Sequence, residues 1–269
     1  MYINTPYNYT GSKFKLLPQI LPLFDYTKSN FIDLFTGSFV VSTNIIDKYQ
    51  RVIANDIIRD LIRVHERLIA NDREFVEYVK GISIYAGESK GNFMRLRDRY
   101  NEYSMPEDLY GLMLSSNNNM IRFNKKLEVN STWGRRCFNK NTQKKIDIFM
   151  EHMVGKGDRI TFYSEKFYDV PIMEDSFVYC DPPYSNSDAP YNTLWKKEDD
   201  LKLYQYLIDI HNKNSTFMLS GLMIHDNIGS KLIEKLLNDG FNFRLLDYNY
   251  EKVSKRKKVN SQEIVIFNY

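Results

Sequence analysis

Apolar residues recur along this chain in two rhythms. The short runs "NFIDLF" (30–35), "RVIAND" (51–56), "RITFY" (159–163), "SFVYC" (176–180), "STFMLS" (215–220) and "EIVIFN" (263–268) are rich in β-branched and aromatic residues and predict buried strands. Between them, "VVSTNIIDKY" (40–49), "EDDLKLYQYLIDIHNK" (198–213) and "IGSKLIEKLLND" (228–239) repeat their apolar positions at helical spacing. Strands alternating with helices predict an α/β sheet with helices on both faces. The middle of the chain differs. From about Ile58 to Tyr110, pieces such as "RDLIRVHERLIA" (59–70) and "GNFMRLRDRYNEY" (91–103) predict an inserted, mainly helical region. From Asn117 to Phe138 the chain is polar, rich in asparagine and arginine and without clear period, which predicts a loop or hairpin.

Length and charge narrow the picture only a little. The 269 residues, 43% of them hydrophobic, suffice for one large domain or a core domain carrying an insert. The net charge is only +3, but its distribution is uneven. Arg122, Lys125, Lys126, Arg135, Arg136, Lys140, Lys144 and Lys145 are opposed over their span by Glu128 alone, and Lys255 to Lys258 form a second run. Each run fits either a solvated face or an anionic partner. Cys137 and Cys180 are too few for a disulfide framework, and His65, His152, His211 and His225 show no metal-ligand spacing. No apolar stretch of roughly 18 residues exists to span a membrane. The start, "MYINTPYNYTGSK", lacks the apolar core of a secretory signal, so an intracellular protein is expected.

The stretch "SFVYCDPPYSN" (176–186) carries the strongest chemical signal. A buried strand runs into Asp181, and Pro182-Pro183 must end it, because proline lacks the ladder N–H and fixes its own φ. Asp181 and Tyr184 therefore sit on a stiff loop at a strand's carboxyl end, where open α/β sheets bind ligands. One reading is a turn that caps a strand over a core tyrosine. The other concerns the exocyclic amino group of a nucleobase, which is planar and weakly nucleophilic. Two acceptors aimed at its N–H bonds, an Asp181 oxygen and the Pro182 carbonyl, would draw it toward tetrahedral geometry, and Tyr184 would stack on the base. "FIDLFTGSF" (31–39) reads as a strand and turn in which Gly37 admits a nucleoside cofactor, or as an ordinary strand-to-helix turn. Asp56 in "IANDI" (53–57) suits ribose hydroxyls or a helix cap. In "YNYTGSKFKLLPQI" (7–20), Lys13 is a ligand for an anion or a surface lysine.

Taken in order, "YTGSK" (9–13), "FIDLFTGS" (31–38), "ANDI" (54–57), "NNMIRFN" (118–124), "FVYCDPPY" (177–184) and "EIVIFNY" (263–269) resemble the Dam-type (alpha-arrangement, D12-class) DNA adenine-N6 methyltransferases, bacteriophage-like members in particular. The likeness covers nearly the whole chain, although Asp-Pro-Pro-Tyr alone also occurs in some RNA methyltransferases. It implies a Rossmann-like class I S-adenosylmethionine-dependent methyltransferase fold, with a mixed, mostly parallel sheet. Residues 1–58 and 142–269 would form the catalytic domain, and 59–141 a mainly helical target-recognition domain containing a hairpin. Tyr9, Lys13, Asp33, Phe35, Gly37, Asp56, Ser164, Phe167 and Asp181 would line the S-adenosyl-L-methionine pocket. Asp181, Pro182, Pro183 and Tyr184 would carry catalysis on an adenine flipped from the duplex.

For recognition, the likeness puts Arg122 on a guanine, flanked by Asn118, Met120 and Asn124. Thr132, Arg135 and Arg136, in "STWGRR" (131–136), would complete the DNA contact, the two arginines on phosphates. Three positions depart from the family pattern. The glycine turn lacks a second glycine, Asn117 stands where relatives often have an aromatic, and Thr132 stands where proline is usual. The expected target is GATC in double-stranded DNA. Alternatives are another DNA sequence, RNA, or a non-catalytic DNA-binding relative. Neither metal nor membrane is expected, and the chain would act as a monomer or weak dimer on DNA in the cytoplasm of a bacterial or phage-infected cell, associated with the nucleoid.

Overall fold

The computed structural model describes residues 1–184, 195–213, 215–225, 228–247 and 261–269. Its strands are β1 (Asn30–Asp33), β2 (Arg51–Asn55), β3 (Ile160–Tyr163), β4 (Ser176–Cys180), β5 (Thr216–His225), β6 (Ile228–Gly229), β7 (Asn242–Leu246) and β8 (Ser261–Phe267). The α-helices are α1 (Leu17–Ile20), α2 (Val40–Ile45), α3 (Arg59–Ile69), α4 (Arg73–Glu88), α5 (Lys90–Tyr103), α6 (Pro106–Ser115), α7 (Lys140–Met153), α8 (Lys197–Asn212) and α9 (Lys231–Asn238). The strands form one sheet in the order β3-β2-β1-β4-β5-β8-β7, with β6 paired to β5. β1 to β5 run parallel, whereas β8 is antiparallel to both of its neighbours.

The continuous apolar runs have a simple cause: parallel strands are covered on both sides. Successive side chains alternate between faces. Ile32, Val178, Phe217, Leu219, Ile264 and Ile266 meet Leu203, Leu207 and Leu236 of α8 and α9. Phe31, Val52, Phe177, Met218 and Val265 meet Leu17, Ile20, Val41 and Ile45 of α1 and α2 on the other face.

Several elements differ from the sequence reading. The helix expected over 40–49 is α-helical only to Ile45 and closes with a 3₁₀ turn, Ile46–Lys48. The strand expected over 215–220 continues to His225, and the helix expected from 228 starts at Lys231 because residues 228–229 pair as β6. Strand β7 carries no apolar run, since four of its five residues are exposed at the sheet edge.

The helical insert is built from α3 to α6. Asp72 and Ser89 cap α4 and α5, accepting from Phe75 N at 2.8 Å and Asn92 N at 3.1 Å. Phe75, Val79, Phe93, Leu96 and Tyr110 form its core, which continues into Phe149 and Met150 of α7 and to Ala54 of β2. Arg99 grips the buried Asp108 with two bonds, 2.7 and 2.5 Å, tying α5 to α6. Beyond α6 the chain forms a hairpin, with antiparallel bridges Ser116–Trp133 and Phe123–Val129. Glycine is required at its base: a Cβ on Gly134 would stand 2.2 Å from the Ser116 carbonyl oxygen.

Candidate active site

The carboxyl ends of β1, β2 and β4 open onto one cavity of about 460 Å³. Asn55, buried at the end of β2, ties these loops together: Nδ2 donates to the carbonyls of Leu34 and Glu165, both at 3.1 Å, and Oδ1 accepts from Glu165 N at 2.9 Å. After β1 the chain turns through Gly37, whose φ of +46° is a conformation that favours glycine. A Cβ there would also stand 3.1 Å from the Tyr9 ring.

Two carboxylates frame this turn. Asp56 accepts from Gly37 N at 3.0 Å and Ile58 N at 2.9 Å. Asp33 accepts from the hydroxyls of Ser42 at 2.6 Å and Thr36 at 3.0 Å. Burial pushes the Asp33 carboxyl up to about 7 and the Asp56 carboxyl up to about 6, against the donors that bind them. From α3, His65 reaches the same turn, with Nε2 3.0 Å from the Gly37 carbonyl oxygen and Nδ1 3.2 Å from the Tyr7 hydroxyl. Burial lowers the His65 imidazole to about 4, so it is neutral near pH 7. Because a carbonyl only accepts, Nε2–H donates to Gly37 and Tyr7 donates to Nδ1.

The Asp-Pro-Pro-Tyr stretch follows β4 directly. Lys13 Nζ lies 2.7 Å from Asp181 Oδ1 and 2.8 Å from the Tyr184 hydroxyl, and that hydroxyl is 2.9 Å from the same Oδ1. Lys13 is 5% exposed, which rules out the surface-lysine reading. Burial raises the Tyr184 hydroxyl well above the ordinary phenol range, so it stays protonated and donates. The same cavity carries an aromatic wall, with Phe35 5.5 Å from Phe167 and both 5.6 Å from Trp195, centroid to centroid.

Tyr9, Lys13, Asp33, Phe35, Gly37, Asp56, Phe167, Asp181, Pro182, Pro183 and Tyr184 all line this cavity, whereas Ser164 does not. Asn55, His65 and Trp195 escaped the sequence reading, and no motif in the chain signals them. Buried carboxylates, an aromatic wall and a glycine turn fit a nucleoside-bearing cation. Among the described residues, no group of three or more His, Cys, Asp or Glu is placed to hold a metal ion, and no helix is long and apolar enough to cross a membrane.

The predicted recognition residues lie on the hairpin and just past it, outside the cavity lining. Asn118 and Arg122 are exposed and Met120 is half-buried. Arg122, Arg135 and Arg136 form no ion pair among the described residues, and Arg135 lies over the Trp133 ring at 5.5 Å. Thr132 is exposed, and its carbonyl accepts from Asn117 N at 2.8 Å. Asn124 spends its side chain on the turn, accepting from Lys126 N and Glu128 N and donating to Glu128. Residues 185–186 of the Asp-Pro-Pro-Tyr loop and the basic run 255–258 lie outside the described residues.

Fold and cavity together define an α/β protein with a pocket and an Asp-Pro-Pro-Tyr loop at the carboxyl edge of its sheet. A family model described as D12 class N6 adenine-specific DNA methyltransferase matches residues 9–257, and the chain belongs to that family. It is 31% identical over its whole length to the Type II methyltransferase M.FokI of Planomicrobium okeanokoites and 30% identical to the modification methylase StsI of Streptococcus sanguinis. The chain spans 43% of the length of each of these two relatives. The DNA adenine methylase of Escherichia coli (strain K12) is 26% identical over 193 residues, 68% of this chain and 66% of that protein.

Proposed function

We propose that this chain transfers a methyl group from S-adenosyl-L-methionine to N6 of an adenine flipped out of duplex DNA, with GATC as its first candidate target. The observation that carries the reading is the Lys13–Asp181–Tyr184 cluster at the edge of a cavity that also holds Asp33, Asp56 and the aromatic wall. The cofactor, when bound, supplies an electrophilic methyl on a sulfonium. Phe35, Phe167 and Trp195 offer faces for its adenine, and Asp56 suits its ribose hydroxyls.

The work left to the chain is positioning and electrostatics. Lys13 and Tyr184 both donate to Oδ1 of Asp181, which leaves Oδ2 to accept one N6–H of the target. The Pro182 carbonyl accepts the other, so the nitrogen's lone pair turns away from the ring and becomes nucleophilic. Tyr184 stacks on the base, a contact worth ~1–3 kcal/mol. A base within a duplex cannot reach this cluster, so it must leave the stack.

Residues 1–58 and 142–269 serve as the catalytic unit and 59–141 as the recognition unit. The exposed Arg122 suits a bidentate guanine contact worth ~1–3 kcal/mol of discrimination. Arg135 and Arg136 suit phosphates, and Asn124 acts through the shape of the turn. An Asp181→Ala exchange tests the chemistry. It should lower the transfer rate by roughly 10²–10³-fold while duplex binding persists. Full transfer by this variant would show the mechanism to be wrong.

A further inference from the structure

At the tip of the hairpin, one residue has a backbone that suits glycine and a side chain that suits something else. Leu127 N donates to Asn124 O at 3.0 Å, and Asn124 N donates to Glu128 O at 2.9 Å. This is the three-residue hairpin connection in which a type I turn is followed by one residue in the left-handed region. Leu127 is that residue, with φ +62°. Glycine is the default there, because a Cβ crowds the carbonyl at positive φ. Burial does not explain the leucine, since it is 39% exposed. Its side chain instead lines the cavity that contains Asp181, Pro182 and Tyr184, beside Phe123 from the same hairpin.

We infer that Leu127 packs on the nucleic-acid base entering the cavity, holding it between the hairpin tip and the Asp181–Tyr184 loop. This rests on the methyltransferase reading and assigns a substrate-contacting residue to it. A half-exposed apolar side chain at the mouth of a cavity gains burial only when an apolar face arrives, and a base presents one. Lys125 and Lys126, both exposed, precede it on the same turn, so adjacent residues can meet the phosphates and the base of one nucleotide. Backbone strain persists at ligand clamps when the side chain it presents is needed there.

Leu127→Gly separates function from folding, because it removes the strain and the side chain together. The variant should melt no lower than wild type and bind S-adenosylhomocysteine within about twofold of it. A duplex carrying 2-aminopurine at the target position, which brightens when extrahelical, should lose most of its enhancement. Methyl transfer should slow roughly tenfold. Leu127→Met, which keeps apolar bulk, should restore most of both signals. Wild-type brightness and rate in Leu127→Gly would overturn the inference, as would a Leu127→Met variant equally impaired. If the wild-type chain neither brightens the probe nor transfers methyl, the underlying reading fails, and the inference with it.

Discussion

Asp33 and Asp56 are held in the fold at a protonation cost that a cationic ligand can relieve. Burial raises their carboxyls to about 7 and about 6, above the ordinary aspartate value of 3.8. Between those limits the folded state binds more protons than the unfolded one. Their contribution to stability is therefore fully present below pH 3.8 and is lost as pH rises through 6 and 7. A bound sulfonium and hydrogen-bonding ribose hydroxyls favour the ionised forms, so cofactor affinity should rise from about pH 5.5 to 7.5 with release of protons. Calorimetry in two buffers of different ionisation enthalpy measures this, and a flat affinity without proton release would contradict it. At this scale the sequence announces residues whose chemistry is unusual where they stand, such as Asp181 after a buried strand or Gly37 in its turn. It is silent about Asn55 and His65. Asn55 works through Glu165, 110 positions away, and His65 through Gly37 and Tyr7, contacts that only folding creates.

The hairpin and the helices around it form the element that would join reading to chemistry on the proposed function. Gly134 lets its two strands close at the base, where any Cβ would meet the Ser116 carbonyl at 2.2 Å. Gly87 of α4 likewise admits the basic segment that follows, since a Cβ there would stand 2.7 Å from the Arg136 carbonyl oxygen. Backbone cannot yield as a flexible side chain can. Gly134→Ala should therefore splay the hairpin and weaken duplex binding by roughly tenfold or more, with cofactor affinity unchanged. Titrations of labelled duplex and of cofactor analogue test both halves, and unaltered duplex affinity would show that the hairpin does not bind DNA. Amphipathic spacing made the insert helices legible in the sequence, and continuous apolar runs did the same for the parallel strands. The edge strand β7 was not legible, because Phe243 and Leu245 face solvent and its pairing depends on β8. The hairpin's register was also hidden: its bridges rest on Ser131 Oγ, which accepts from Arg122 N at 2.7 Å, and on the Asn124 turn rather than on an apolar pattern.

For the whole molecule, the fold places the hairpin beside the cavity, with Phe123 and Leu127 lining it together with Asp181. The cluster that contains Phe75 and Tyr110 of the insert also contains Phe39 at the head of α2 and Ala54 of β2, so the insert is anchored rather than tethered. On the proposed function, such anchoring would let a base drawn from a bound duplex meet Asp181 without a large rearrangement. The basic positions from Arg122 to Lys145 would then supply sequence-independent attraction, and Arg122 would supply the choice of base. The most direct measurement is transfer of labelled methyl from S-adenosyl-L-methionine to two duplexes that differ only at one site, GATC in one and GTTC in the other. Label is expected in the GATC duplex alone, recovered as N6-methyladenine. Label in both would retain the chemistry and discard the GATC assignment. Label in neither, from a chain that still binds cofactor and duplex, would contradict methyl transfer to DNA adenine by this chain.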